Sequence, residues 1–141
     1  MITYRKVDNN YLAKYDSIDM LVHVKSIYRP EKIDRGLGGI LLKETSVKEY
    51  VKDFRQYDNT TDWAKEFDLT SWVFFMAFDD SRPVGGATIV SKTKTIHMLE
   101  GRNDLCVLWD LRVSDAYKHR VSGKPYLIWP SAGGRSRAIS N

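Results

Sequence analysis

The segment "LCVLWDLRVSDAYKHRVSGK", residues 105–124, runs from an apolar strand into a basic turn that contains a glycine. Its first nine residues predict a buried strand, because only two charged side chains interrupt the apolar run. Main-chain N–H groups and cationic side chains just past such a strand are suited to bind a phosphate. Strict alternation puts Val107, Trp109, Leu111 and Val113 on one face of the strand, and Cys106, Leu108, Asp110 and Arg112 on the other.

Asp110 is the feature of this strand that invites a chemical interpretation. An acid in so apolar a strand is costly unless it is paired or used. In one interpretation it forms an ion pair with Arg112, its neighbour on the same face. In the other it is a general base in a cleft, where burial raises its pKa toward the working range. The sequence favours the ion pair and leaves both interpretations open.

The segment that precedes this strand predicts a β-hairpin. Residues 71–92, "SWVFFMAFDDSRPVGGATIVSK", form two nearly continuous apolar runs on either side of a turn at residues 79–83. Near the start of the chain, alternating apolar and polar residues from Ile2 to Val7 predict an opening strand. The chain therefore offers at least four strands for one sheet.

The middle of the chain mixes helix and strand patterns. In "SVKEYVKDF", residues 46–54, Ser46 and Glu49 have the spacing of a capping box, which predicts a helix. We further predict short helices at residues 9–20 and 60–67, a strand over residues 20–30 that Pro30 ends, a turn at residues 35–39 and an apolar run at residues 40–44. Together the elements predict the α/β (α+β) class, with a mixed, largely antiparallel sheet flanked by helices.

Composition restricts the class of protein. Hydrophobic residues make up 43% of the 141 residues, and no apolar run approaches the roughly 18 residues that cross a bilayer. No secretory leader follows Met1, so we expect a cytoplasmic protein. Cys106 is the only cysteine, and His23, His97 and His119 lack ligand spacing, so we expect neither a disulfide nor a metal site. In its apolar strand Cys106 is expected to be buried rather than to carry an acyl group.

Positive charge is concentrated at the end of the chain. The net charge of +4 comes from 22 bases and 18 acids, and no acid follows Asp115. Removing the last five bases leaves 17 against 18 acids, so the rest of the chain carries about −1. A local basic turn suits a single phosphorylated ligand better than a duplex, which usually meets a broad basic face. The five bases that follow Asp115 are Lys118, Arg120, Lys124, Arg135 and Arg137.

The strand, the turn and the preceding hairpin together resemble the GNAT superfamily of N-acetyltransferases, especially its streptothricin acetyltransferase branch. In that family a strand ends in a Leu-x-Val-like triplet, and Arg/Gln-x-x-Gly-x-Gly/Ala follows at a helix N-terminus that holds the acetyl-CoA pyrophosphate. This chain has "LRV" at 111–113 and "KHRVSG" at 118–123. Lys118 stands for Arg/Gln, Val121 replaces the first glycine, and Gly123 matches. The resemblance covers residues 1–120.

The resemblance implies an acetyl-CoA-dependent N-acetyltransferase that acetylates the primary amine of a small molecule. Acetyl-CoA is the cosubstrate, and neither a nucleic acid nor a membrane is an expected partner. Asp110 is the candidate base, whereas the tyrosine that commonly acts as general acid falls beyond residue 141. The resemblance implies pantetheine binding by Leu111, Arg112 and Val113, and phosphate binding by Lys118, His119, Arg120, Gly123 and Lys124.

The end of the chain departs from this pattern. Pro125, Pro130 and Gly133 are poor helix residues, so we expect an acetyltransferase part over residues 1–120 and an aberrant, irregular tail over residues 121–141. A one-base shift near the codon for Arg120 permits "GIGKALFDMAV", which restores Gly-x-Gly directly after "KHR" and has helical spacing. We therefore expect a truncated or frameshifted protein that lacks the last strands and helix of the fold and has impaired activity.

Two alternative functions stay open. One is a noncatalytic remnant that binds acetyl-CoA or forms a homodimer through an exposed sheet edge, because an unpaired edge invites pairing with another chain. The other is nucleic-acid binding through the basic tail. The segment from residue 28 to residue 67 is expected to shape the acceptor pocket, although its sequence specifies no ligand.

Overall fold

The computed structural model describes residues 1–118, and the structural statements below refer to that part of the chain. The predicted boundary at residue 120 and the tail over residues 121–141 lie outside it. Short 3-10 turns join several elements, and the last of these turns is Asp115–Tyr117. The elements are β1 (Ile2–Val7), α1 (Leu12–Asp16), β2 (Leu21–Lys32), β3 (Ile40–Asp53), α2 (Trp63–Glu66), β4 (Val73–Asp79), β5 (Arg82–Ser91) and β6 (Cys106–Val113).

Two antiparallel sheets contain the six described strands. The larger sheet has the order β1-β4-β5-β6, and β2 and β3 form a separate hairpin. The predicted α/β (α+β) class and the largely antiparallel sheet are therefore confirmed. Neither helix in residues 1–118 has the length and apolarity that a bilayer crossing requires.

The core lies where α1 and α2 pack on the two central strands. Met76, Ala77 and Val84 are fully buried, as the continuous apolar runs of β4 and β5 predict. Aromatic rings fill the space above the sheet: the ring centroids of Tyr15 and Trp63 lie 6.1 Å apart. A Cβ at Gly86 would lie 2.4 Å from Tyr15 Cε2, so a glycine is needed where this ring meets β5.

The helix predicted over residues 46–54 is wrong, because residues 46–53 belong to β3 and residue 54 begins a 3-10 turn. Val47, Tyr50 and Val51 are β-branched or aromatic, and a nine-residue helix is marginal without packing. Pairing with β2 satisfies the main chain instead, with Val51 opposite His23. The predicted end of β2 at Pro30 is also wrong: the strand continues to Lys32, because a two-stranded ladder has only edge strands, where proline is tolerated.

β6 differs from the predicted buried strand, because it is the last strand of its sheet and three of its eight residues are exposed. Leu108 and Leu111 are each 53% exposed, and the thiol of Cys106 is exposed rather than buried. Asp110 pairs with Thr88 and Leu108 pairs with Ile89, so Trp109 is an extra residue in a β-bulge. The sheet order leaves β6 with a strand partner on one side only among residues 1–118.

The bulge also corrects the predicted division of β6 into two faces. Trp109 packs against the core cluster, with its ring centroid 5.9 Å from that of Trp72. The extra residue reverses the alternation beyond it, so Arg112 turns toward the core and Leu111 turns outward. The two predicted sets therefore hold up to Trp109 and exchange places after it.

Candidate functional site

A groove of about 130 Å³ lies where the end of β6 faces the base of the β2–β3 hairpin. The connection after α1 and the base of the hairpin line one side of the groove, and the last residues of β6 line the other. The residues that line the groove are Met20, Leu21, Val22, Phe54, Leu111, Arg112, Val113 and Lys118. The predicted pantetheine-binding triplet and one predicted phosphate-binding residue thus lie around one space.

Asp110 and Arg112 form a buried ion pair beside this groove. Arg112 Nε lies 2.9 Å from Asp110 Oδ2, and Arg112 Nη2 lies 3.1 Å from Oδ1. The Arg112 side chain is fully buried and that of Asp110 is 9% exposed. The pairing interpretation of Asp110 therefore describes its contacts, and the general-base role stays a prediction.

Tyr15 completes the buried network from α1. Its hydroxyl donates to Asp110 Oδ2 at 2.7 Å, and its ring lies 4.9 Å from the Arg112 guanidinium carbon. Burial, and then the charge of Asp110, raise the pKa of Tyr15 well above its usual value. The hydroxyl therefore remains a proton donor to Asp110. Arg112 Nη1 is buried without a hydrogen-bond partner among the described residues, so one donor of this network is unused.

The turn after β6 is tied to the segment that follows α1. Asp19 accepts hydrogen bonds from the Ser114 hydroxyl at 2.6 Å and from the Asp115 main-chain N–H at 2.8 Å. Lys118 Nζ lies 2.9 Å from Asp115 Oδ1 and also donates to the Leu21 carbonyl. The predicted phosphate-binding ammonium is therefore engaged by protein acceptors. The other predicted phosphate-binding residues, His119, Arg120, Gly123 and Lys124, lie outside the described residues.

His23 connects the hairpin to the same turn. Its Nε2 lies 3.1 Å from Asp115 Oδ2, and its Nδ1 lies 3.3 Å from Glu49 Oε1. Hydrogen bonds from Lys118 and then from His23 lower the pKa of Asp115 below its usual value. This charged cluster holds β2, β3 and the turn after β6 together at the mouth of the groove.

Sequence reasoning missed Tyr15, Asp19 and His23 as parts of this site. Each contacts a residue more than 90 positions away along the chain, so no local pattern indicates the contact. Leu12, Tyr15 and Ile18 have helical spacing and are buried, but this spacing carries no information on the partner of the Tyr15 hydroxyl.

Comparisons with known proteins identify this architecture. No family model matches the chain, and no curated protein matches it. Among solved structures, nourseothricin acetyltransferase matches 88% of this chain with a TM-score of 0.57 and 17% identity. A putative streptothricin acetyltransferase from Bacillus anthracis, in complex with acetyl coenzyme A, matches 89% with a TM-score of 0.53 and 16% identity.

The chain therefore has the GNAT-type acetyltransferase fold that the resemblance predicted. Within that class, it is similar to the nourseothricin and streptothricin acetyltransferases. It spans 61% and 62% of the length of those two solved chains.

Proposed function

We propose that this chain binds acetyl-CoA along the outer side of β6 and that its domain is an acetyl-CoA-dependent N-acetyltransferase acting on a primary amine of a small molecule. The observation that carries the proposal is the unpaired side of β6, beside a groove, in a fold of which one solved example holds acetyl coenzyme A. The acceptor and the turnover of the whole protein are parts of this proposal.

The main chain of β6 fits the amide-rich pantetheine arm of the cosubstrate. A strand with one free side offers N–H and C=O groups to an extended ligand, as an edge strand offers them to a peptide. The outward turn of Leu111 places an apolar side chain beside this edge. We assign the main-chain groups of Leu111, Arg112 and Val113 to pantetheine, and the chemistry that acetyl-CoA supplies there is an activated acetyl thioester.

The diphosphate is assigned to the turn that follows β6. Its described part has one ammonium, that of Lys118, and a phosphate would have to compete with Asp115 and the Leu21 carbonyl for it. The assignment of His119, Arg120, Gly123 and Lys124 to the same phosphates rests on the family resemblance. The diphosphate, which carries one negative charge on each phosphate, is a stronger acceptor than the neutral Leu21 carbonyl, which supports the exchange.

The reaction requires a free amine to attack the thioester carbonyl. The new C–N bond forms, the C–S bond breaks, and the thiolate of CoA takes a proton. Asp110 is the proposed proton acceptor, acting directly or through an ordered water. To act in this way it must exchange a hydrogen bond from Tyr15 or Arg112 for one from the substrate side.

The second candidate function is a protein that binds acetyl-CoA but turns it over poorly or not at all. Two observations favour it: Asp110 is held by Arg112 and Tyr15, and Lys118 is held by Asp115. Both ionic groups assigned to chemistry and phosphate binding are thus satisfied within the protein. Self-association through the free side of β6 would compete with pantetheine for the same main-chain groups.

Calorimetry with acetyl-CoA and CoA tests the proposed binding. Leu111→Glu places a carboxylate in the groove, and we expect its Kd for acetyl-CoA to rise at least about tenfold by charge repulsion and blocked access. Leu108→Glu is the matched control, because Leu108 has the same 53% exposure on the same strand but lies outside the groove. Its Kd should stay within about threefold of the unsubstituted chain.

Two further measurements separate the candidates. Release of the CoA thiol in the presence of a panel of primary amines indicates an acetyltransferase, whereas binding without release indicates the noncatalytic protein. A short DNA duplex should give no thermal stabilisation. Duplex binding that weakens with salt, together with no binding of either CoA form, would contradict the proposal and favour the nucleic-acid reading.

A further inference from the structure

The distal part of the β2–β3 hairpin forms an arm without cover. Every residue from 28 to 44 is exposed, although both strands are long and regular. A two-stranded hairpin is marginally stable in water by itself and needs a further strand or a packing partner. The arm thus has the regularity of a packed sheet and lacks a neighbour among residues 1–118.

One face of this arm is apolar at its centre. The register pairs Tyr28 with Glu44, Pro30 with Leu42, and Lys32 with Ile40, so these six side chains share one face, called here the arm face. Tyr28, Ile40 and Leu42 are 65%, 63% and 62% exposed. A cluster of exposed apolar side chains with charged ends is typical of an interaction surface.

Side-chain contacts confirm the division into two faces. The Ser26 hydroxyl donates to Glu44 at 2.6 Å on the arm face. On the opposite face, Lys43 lies 3.8 Å from Glu31. Leu41 belongs to that opposite face and is 50% exposed. The neighbouring residues Leu41 and Leu42 therefore have similar exposure, but their side chains lie on opposite faces of the hairpin.

We propose that the arm face binds the arm face of a second copy of this chain, forming a two-fold symmetric dimer. The charges on the face are self-complementary: Lys32 and Glu44 lie two strand positions on either side of the Pro30–Leu42 pair. A two-fold axis through that pair brings Lys32 of one copy to the level of Tyr28 and Glu44 of the second copy. It also packs the central apolar residues on each other.

This dimer is independent of the proposed acetyl-CoA site. The groove is lined by the base of the hairpin and by β6, whereas the arm face occupies the distal half of the hairpin. It also differs from pairing through the side of β6. Loss of dimerisation and loss of acetyl-CoA binding can therefore be measured separately.

Sedimentation and light scattering of the full chain over a range of concentrations test the proposal. We expect a dimer at about 100 μM that dissociates on dilution. Leu42→Glu buries two unpaired carboxylates at the axis and should weaken dimerisation at least about tenfold. Leu41→Glu adds the same charge on the opposite face and should change the dimer Kd by less than about threefold. A monomeric unsubstituted chain at that concentration, or equal effects of the two substitutions, would overturn the proposal.

Charge reversal and crosslinking test the axis itself. Lys32→Glu should weaken the dimer, and the combined Lys32→Glu/Glu44→Lys chain should recover it. In a Cys106→Ser background, Leu42→Cys should form an intermolecular disulfide under mild oxidation, and Leu41→Cys should not. Failure of the double reversal to recover association, or equal crosslinking at both positions, would contradict the two-fold arrangement.

Discussion

At the scale of single residues, the buried network of Tyr15, Asp110 and Arg112 decides how the end of β6 is interpreted. The sequence has an acid and a base two positions apart in an apolar strand, which left two interpretations open, an ion pair and a general base. The structure adds the third member and the bidentate contact. Asp110 accepts hydrogen bonds from both Tyr15 and Arg112, so its contacts are those of a structural residue. The proposed catalytic role would be additional to this structural one.

We expect Asp110→Asn to lower the free energy of unfolding by about 3–5 kcal/mol, because the Arg112 charge would remain buried with its partner neutralised. Denaturant unfolding measures this loss. The paired replacement Asp110→Leu/Arg112→Met removes both charges and should cost less than the single substitution. A single variant as stable as the parent chain, with acetylation abolished, would instead assign Asp110 to proton transfer.

Asp115 gives a pH-dependent prediction, because its pKa is lowered from 3.8 by Lys118 first and His23 second. A carboxyl with a lowered folded-state pKa stabilises the fold above its unfolded value and loses that contribution as the pH falls through the folded pKa. Asp115→Asn should therefore be less stable than the parent at pH about 6, and the difference should shrink toward pH about 2. Urea unfolding at several pH values measures it.

Lys118→Met supplies the control for this pH dependence. It removes the first cause of the lowered pKa, so Asp115→Asn should have a smaller effect in that background. A difference between parent and Asp115→Asn that is constant from pH 6 to pH 2 would show that the charge of Asp115 is not involved.

At the scale of elements, the sequence predicted β1 from the alternation of apolar and polar residues, and the β4–β5 hairpin from two nearly continuous apolar runs. β3 did not follow, because "SVKEYVKDF" satisfies a helical spacing as well as a capping box, and only pairing with β2 decides for a strand. The sequence did not predict the bulge at Trp109 either, because the bulge depends on the register of β6 against β5. The site could be predicted as a strand end and a turn, but not as a network.

Gly86 tests how closely α1 and β5 approach. A Cβ there would lie 2.4 Å from Tyr15 Cε2, and the Tyr15 ring has little room to move because the residue is only 1% exposed. We expect Gly86→Ala to destabilise the protein by about 1–3 kcal/mol, measured by thermal or urea unfolding. In a Tyr15→Leu background the same substitution should lower the stability much less. In a Tyr15→Phe background, which keeps the ring, the loss of stability should be the same as in the parent chain.

At the scale of the whole molecule, the proposed acetyl-CoA site and the proposed dimer face lie on different regions. The four-stranded sheet and its helices supply the β6 side of the groove. The β2–β3 hairpin closes that groove with its base and extends into solvent with its distal half. One element therefore serves both the proposed acetyl-CoA site, through its base, and the proposed dimer, through its distal half.

Backbone NMR of the isotopically labelled chain, titrated with CoA and acetyl-CoA, tests the central claim most directly, because it locates the ligand on the main chain. We predict that the largest shift changes fall on the amides of Leu111, Arg112 and Val113, with smaller changes at Leu21 and Phe54 across the groove. Leu111→Glu should suppress them at equal ligand concentration. An unchanged spectrum at millimolar CoA, or changes confined to the segments around Lys92 and Arg102, which line a separate groove, would contradict the assignment.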